Sequence, residues 1–292
     1  MREPFLQRLR ISLTFAGPTL LIFSAVVILP FVYGIFLTFT NWNGIASNYH
    51  FVAFRNYASV FDSAQFWKTL ILTLEYVALT LFLTNAIGFF LASLLTSGIR
   101  GQNVMRSALF TPNLVGGIIL GFIWQFIYST ALVYIGQKLH IAFLSISALG
   151  NPSGALWAMV IATVWQYSGY MMIIYIAGFM SIPQSLLEAA SIDGAGGFTR
   201  LRSIIIPLMV PSFIICGFLT LQRGFMVYDI NLSLTDGGPY NSTTLIALHI
   251  YEKAFLFQQY GSGQAEAFVL FVLVAIVTVI QIRFGKGLEV EA

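Results

Sequence analysis

Six long stretches of this chain, near residues 13–38, 69–96, 104–129, 155–180, 203–222 and 266–284, are almost wholly apolar. Crossing the hydrocarbon layer takes roughly 20 predominantly apolar residues, so each stretch is long enough to span it. Backbone groups find no water inside lipid, and only helices or closed barrels satisfy them there. A barrel would alternate apolar and polar residues over strands of about ten, and these stretches do not alternate. The expected fold is all-α: a polytopic membrane protein with about six transmembrane helices, forming a single domain over 1–292. Composition agrees, since only 9% of residues are charged, against about a quarter in a soluble domain. Met1–Arg10 precedes an apolar run too long for a signal-peptide core, so this segment reads as a retained first span.

Lys and Arg positions set the orientation. With the N-terminus inside, the cytoplasmic segments hold Arg2, Arg8, Arg10, Arg100, Arg106, Arg200, Arg202, Arg283 and Lys286, and the outer side holds Arg55, Lys68, Lys138, Arg223 and Lys253. Nine against five favours both termini inside, in keeping with an even number of spans, which puts both termini on one side. The inner segments are then near 97–103 and 181–202, and the outer ones near 39–68, 130–154 and 223–265.

Several function classes drop out. A net charge of +3 with no basic cluster gives no track for nucleic acid. The lone Cys216 sits inside an apolar run and reads as a packing residue. His50, His140 and His249 are scattered over outer segments, with no metal-ligand or nucleophile–base constellation around them. No G-x-x-x-x-G-K-[ST] loop is present to hold a nucleotide. Active transport by such a chain needs either an ion gradient or a separate ATPase.

Polar residues within spans need a reason, because a charge at helix centre costs about 2.5–3.5 kcal/mol on insertion scales. Glu75, about two turns into the second span, is expected to pair with Lys68 or Arg223 in preference to touching a solute. Asn85, deeper in the same span, is expected to bond another helix. Gly117-x-x-x-Gly121 allows a close helix approach.

The inner segment from Ser181 reads Ser-Ile-Pro-Gln-Ser-Leu-Leu-Glu188-Ala189-Ala190-Ser-Ile-Asp193-Gly194-Ala-Gly-Gly-Phe198. Pro183 stops the fourth span, and Ser185 is a candidate N-cap for a short helix over Leu186–Ile192. Gly194 permits a sharp turn, and a second helical element runs from Phe198 into the fifth span, whose first turns carry Pro207 and Pro211. Such a helix–turn–helix suits a partner's groove. An amphipathic connector on the inner leaflet is the plainer reading. Glu188 and Asp193 oppose it, since anionic lipid attracts Lys and Arg.

Glu188-Ala189-Ala190, Asp193-Gly194-Ala195, Phe198 and Ile206-Pro207 together resemble the EAA loop of ATP-binding-cassette importer permeases, in particular the maltose-type carbohydrate branch. Phe51-Val-Ala-Phe-Arg-Asn56-Tyr57 and the outer loop Leu234-Thr-Asp-Gly237-Gly238-Pro239 resemble the larger, MalF-like subunit of that branch. The whole is similar to multiple-sugar and raffinose-type permeases. The extra helices and large outer domain of the maltose subunit itself are absent, so maltose specificity does not follow.

The resemblance implies a type I importer permease in a bacterial or archaeal plasma membrane. Its partners would be a second homologous permease, two cytoplasmic ATPases and an outer solute-binding protein, with no cofactor in this chain because ATP and Mg²⁺ belong to the ATPases. It makes Glu188, Ala189, Ala190, Asp193 and Gly194 the ATPase-coupling residues, and turns Gly237, Gly238 and Pro239 toward the binding protein. Thr163, Tyr167 and Tyr170 match sugar-contacting positions, and Arg223, Phe225, Tyr228 and Asp229 overlap the second contact region. Aromatic faces and polar groups around a wet cavity suit a sugar, whereas Trp42, Tyr128 and Tyr134 read as an interfacial belt. A permease for glycerol phosphate or a uronic oligosaccharide is the rival within the class. A gradient-driven carrier is a more distant one, since it would carry inverted repeats and mid-membrane carboxylates.

Overall fold

The structure, a computed structural model, describes residues 5–287, with side chains from Thr14 onward. Arg2 and the side chains of Arg8 and Arg10, used above for orientation, lie outside the described residues. Helix α1 begins at Phe5 and carries its apolar length over Thr14–Leu37. After α2 (Arg55–Asp62) come α3 (Ala64–Leu95), α4 (Gln102–Phe110), α5 (Gly117–Lys138) and α6 (Pro152–Ser181). The chain continues with α7 (Gln184–Ile192), α8 (Gly197–Leu208), α9 (Val210–Phe225), α10 (Ile246–Tyr251) and α11 (Tyr260–Lys286). Helices α1, α3, α5, α6 and α11 are long and apolar enough to cross a membrane, and α8 with α9 makes a sixth, broken span bent by 68°. Among the described residues the isolated strand pairing is one bridge, Thr40 with Phe51.

Two spans differ from the sequence expectation. The third starts at Gly117, not near 104, because Thr111–Leu114 closes into a tight 3₁₀ turn and Val115 and Gly116 are extended. Pro112 has no N–H to continue a helix; the apolar composition on both sides hides this break. The fifth is broken at Met209, whose ψ is 2°. Pro207 and Pro211 lie one turn apart there, and each removes a donor and crowds the carbonyl four residues back.

The described residues fall into two compact units, divided within α11. One comprises the chain up to Ser63 together with Ile250–Leu270. Its segment after α1 is tied by Asn56, whose amide donates to the carbonyls of Thr38 (2.7 Å) and Thr40 (2.8 Å). The Tyr57 hydroxyl bonds that of Thr38 at 2.8 Å. Fully buried Glu266 forms an ion pair with Lys253 at 2.5 Å, which keeps the carboxylate compensated away from water.

The other unit holds Ala64–His249 and the chain from Phe271 on. Its core is the contact of α3, α6 and α9, where Ala92, Met171, Met172, Tyr175 and Cys216 are all buried. Cys216 is thus the packing residue its surroundings imply. Asn85 bonds across helices as expected: it accepts from the Tyr175 hydroxyl at 2.8 Å and donates to Thr220 Oγ1 at 3.2 Å. The Gln281 amide donates to the Ile214 carbonyl (3.0 Å) and ties the end of α11 to α9. Gly117 and Gly121 let α5 lie on the segment after α9. A Cβ at Gly117 would meet Asp229 Cβ at 2.7 Å, and one at Gly121 would collide with Ser233.

Candidate functional site

Where α9 ends, the chain leaves its helix at Met226, and a cavity of about 320 Å³ opens between α5, α6 and this turn. Gln166, Tyr167, Gln222, Arg223, Tyr228 and Asp229 line it. The Arg223 guanidinium stands 4.3 Å from the Tyr167 ring centroid and 5.3 Å from that of Tyr170. Stacking of this kind favours a desolvated cation. One guanidinium nitrogen donates to Asn113 Oδ1 at 3.1 Å. The Gln166 amide donates to the Val115 carbonyl at 2.9 Å, so the break between α4 and α5 is pinned to the cavity wall by two side chains. Arg223 and Asp229 are the charged residues of this lining, and their charges cancel.

The expected path residues separate. Tyr167, Arg223, Tyr228 and Asp229 come together at the cavity, and Tyr170 reaches it through its contact with Arg223. Thr163 is buried and bonds the Tyr76 hydroxyl at 2.7 Å, and Phe225 is buried in the core. Neither lines the cavity. Glu75 is exposed on the surface of this chain, and among the described residues it pairs with neither Lys68 nor Arg223. The expected pair fails because α3 turns Glu75 away from α9: Val77, about 200° around the helix at ~100° per residue, is the residue that meets Gly224. Asn113 was not singled out from the sequence. Its signal was Thr-Pro-Asn inside an apolar run, a polar interruption with no other use.

In the loop after α6, α7 begins at Gln184, two residues after Ile182, and no side chain caps it; Ser185 lies inside the helix. Its end is a Schellman turn. Gly194 has φ +74°, the Gly194 N–H bonds the Ser191 carbonyl at 3.2 Å, and the Ala195 N–H bonds that of Ala190 at 2.9 Å. Ala190 is buried and Leu187 packs on the core, which anchors one face of α7. Glu188, Ala189, Asp193 and Gly194 are exposed. Beside them Ile192 is 87% exposed and Phe198 74%. Arg200 donates to Ser191 Oγ at 3.0 Å and holds the two limbs of the loop together.

The loop carrying Gly237, Gly238 and Pro239 is stapled from within by Asn231, which is fully buried. Its amide donates to the Thr243 carbonyl at 2.8 Å and its Oδ1 accepts from the Leu245 N–H at 3.0 Å. Thr243 Oγ1 donates to the Gly238 carbonyl at 2.7 Å. Gly237 is buried at φ +74°, and Tyr240, at the tip, is 91% exposed.

Long apolar spans, with a polar cavity between three helical segments, fit a membrane transport subunit. Residues 84–290 match the family described as the inner membrane component of binding-protein-dependent transport systems, and the chain belongs to that family. It is a multi-pass membrane subunit of an ATP-binding-cassette importer. Among its relatives, a probable starch degradation products permease of Thermoanaerobacterium thermosulfurigenes is 42% identical, over 95% of this chain and 94% of that one. A multiple sugar-binding transport permease of Streptococcus mutans is 35% identical over 89% and 90%. The trehalose/maltose permease of Thermococcus litoralis is 34% identical over 81% and 80%. In fold the chain is similar to a bacterial transporter that imports the acidic polysaccharide alginate, with TM-score 0.83 at 17% identity, covering 97% of this chain and 99% of that one.

Proposed function

We propose that this chain forms one half of the translocation path for an uncharged oligosaccharide, delivered by an outer solute-binding protein and driven by separate ATPases. The observation that carries the reading is the cavity at the end of α9. Tyr167 and Tyr170 offer aromatic faces, Gln166 and Gln222 offer amides, and the single cation Arg223 is balanced by Asp229. Sugar rings present C–H faces to aromatics and hydroxyls to amides and charged groups. A lining with no net charge favours a neutral solute. The sugar-transporting relatives point the same way.

At the other end, α7 acts as the coupling helix. Ile192 and Phe198 are large apolar side chains standing in the open beside Glu188 and Ala189, and an anchor of that kind needs a partner's pocket. Closure of the ATPases on ATP and Mg²⁺ draws this helix toward its counterpart on a second permease and turns the cavity outward; hydrolysis returns it. Gly237–Pro239 and Tyr240 face the binding protein.

A second reading, an anionic solute, draws on Arg223 and on the 31% identity to a glycerol-3-phosphate permease of Rhizobium meliloti. Uptake of labelled solutes by cells carrying the full transporter tests both. Neutral oligosaccharides are expected to enter and compete with one another, and Tyr167→Ala is expected to weaken them. Uptake of glycerol phosphate or uronic oligosaccharides with neutral sugars excluded overturns the neutral-sugar reading in favour of the second.

A further inference from the structure

Arg223 brings the positive charge of the candidate cavity on a long side chain with many rotamers, yet three groups fix where it stands. Its guanidinium lies 4.3 Å from the Tyr167 ring centroid and 5.3 Å from that of Tyr170, and it donates to Asn113 Oδ1 at 3.1 Å. Attraction to an aromatic face tolerates sliding and rotation of the cation. A hydrogen bond is directional, so the bond to Asn113 sets which way the guanidinium points.

Asn113 suits that task because its own backbone is held at both ends. It sits in the 3₁₀ turn Thr111–Leu114 between α4 and α5. Before the turn, α4 lies so close on α6 that a Cβ at Gly169 would collide with the Leu109 carbonyl. The Phe110 ring rests near that of Tyr170, with centroids 6.3 Å apart. After the turn, the Val115 carbonyl accepts from the buried Gln166 at 2.9 Å. Gly169 and Gln166 belong to the same helix as Tyr167 and Tyr170, so the acceptor and the two rings share one frame.

The cavity offers the guanidinium a competing partner. Asp229 lines the same wall, yet among the described residues Arg223 bonds Asn113 and forms no ion pair with Asp229. Opposite charges in a confined, poorly solvated space attract strongly. Without Asn113 the guanidinium would be drawn toward Asp229, and a pair formed there would withdraw both charged groups from a solute. Asn113 itself does not line the cavity and reaches it only through Arg223.

We propose that Asn113 is a positioning residue for the solute site: it holds Arg223 against Tyr167 and Tyr170 and away from Asp229, so that both charged groups remain open to solute hydroxyls. This rests on the reading of the cavity as the solute site.

Uptake kinetics of the full transporter in proteoliposomes provide the test, with labelled maltotriose, a neutral product of starch degradation, as the probe. Asn113→Leu, similar in size but without an acceptor, is expected to raise the KM about fivefold with maximal velocity unchanged. Asn113→Ala carries the same expectation where the leucine variant fails to assemble. Asn113→Asp keeps an acceptor in place and is expected to stay within about twofold of the native KM. In an Arg223→Ala chain, Asn113→Leu is expected to add nothing further, because it acts through the guanidinium. A residue that only keeps the break in shape gives another pattern: velocity falls in Asn113→Leu, or the two losses multiply in the double variant. Either pattern overturns the proposal, as does an unchanged KM in Asn113→Leu. An unchanged KM in Arg223→Ala alone sinks the cavity as the solute site and the proposal with it, so the two failures are told apart.

Discussion

The outward face of the α7 loop comes from one short run, Glu188 to Phe198, whereas the cavity gathers Asn113, Gly117, Gln166, Tyr167, Arg223 and Asp229 from four separate segments. Both are rigid, for different reasons. The loop is held by local backbone geometry, the Schellman turn at Gly194 and the Arg200–Ser191 bond. The cavity is held by long-range side-chain contacts, Arg223 to Asn113 and Gln166 to Val115. A device that must be grasped from outside can be encoded in consecutive residues. A device that must enclose a solute cannot, because its walls have to come from different helices.

If the comparison holds, damage to the loop should abolish transport without touching solute affinity, and damage to the cavity should do the reverse. Glu188→Lys is the largest effect expected: uptake falls by about 100-fold, the scale of a reversed interfacial charge. The chain remains inserted and the ATPase no longer co-purifies with it. Normal uptake by this variant would remove α7 as the docking element. Gly194→Val comes next. A β-branched residue at φ +74° costs about 1–3 kcal/mol, and transport velocity should fall roughly tenfold with an unchanged KM.

Arg223→Ala should weaken apparent solute affinity by about tenfold, equivalent to ~1.4 kcal/mol, with the ATPase still bound. An affinity unchanged in Arg223→Ala would take the cation out of the solute site. Thr163→Val sharpens the boundary of the cavity. It leaves the buried Tyr76 hydroxyl without its partner and should cost about 1 kcal/mol of stability, read as a lower Tm of the purified protein with KM unaffected. The smallest effect expected is Tyr175→Phe, about 0.6 kcal/mol for one interhelical bond in a membrane, again in Tm alone.

Much of this was legible before any coordinates. The apolar runs gave the helices because lipid leaves the backbone no alternative, and Asn85 and Cys216 did what their surroundings implied. The breaks were less legible. A proline inside an apolar stretch is tolerated in many membrane helices, so composition did not distinguish the 3₁₀ turn at Pro112 or the 68° bend at Met209 from a continuous span. Asn113 was missed for the same reason, since its use depends on which side chain the break brings to it. Thr163 and Glu75 show the limit from the other side: one is withdrawn into the core and the other turned outward by the rotation of α3 and α6.

The sequence by itself determined a helical membrane protein and the local form of the turn at Gly194, because these depend on hydropathy and backbone freedom over a few residues. Only the tertiary structure decided which polar side chains meet at Arg223, which are buried, and that Glu75 faces outward and pairs with neither Lys68 nor Arg223 among the described residues. Those outcomes depend on how each helix is rotated and where it breaks, and both are set by packing between segments far apart along the chain.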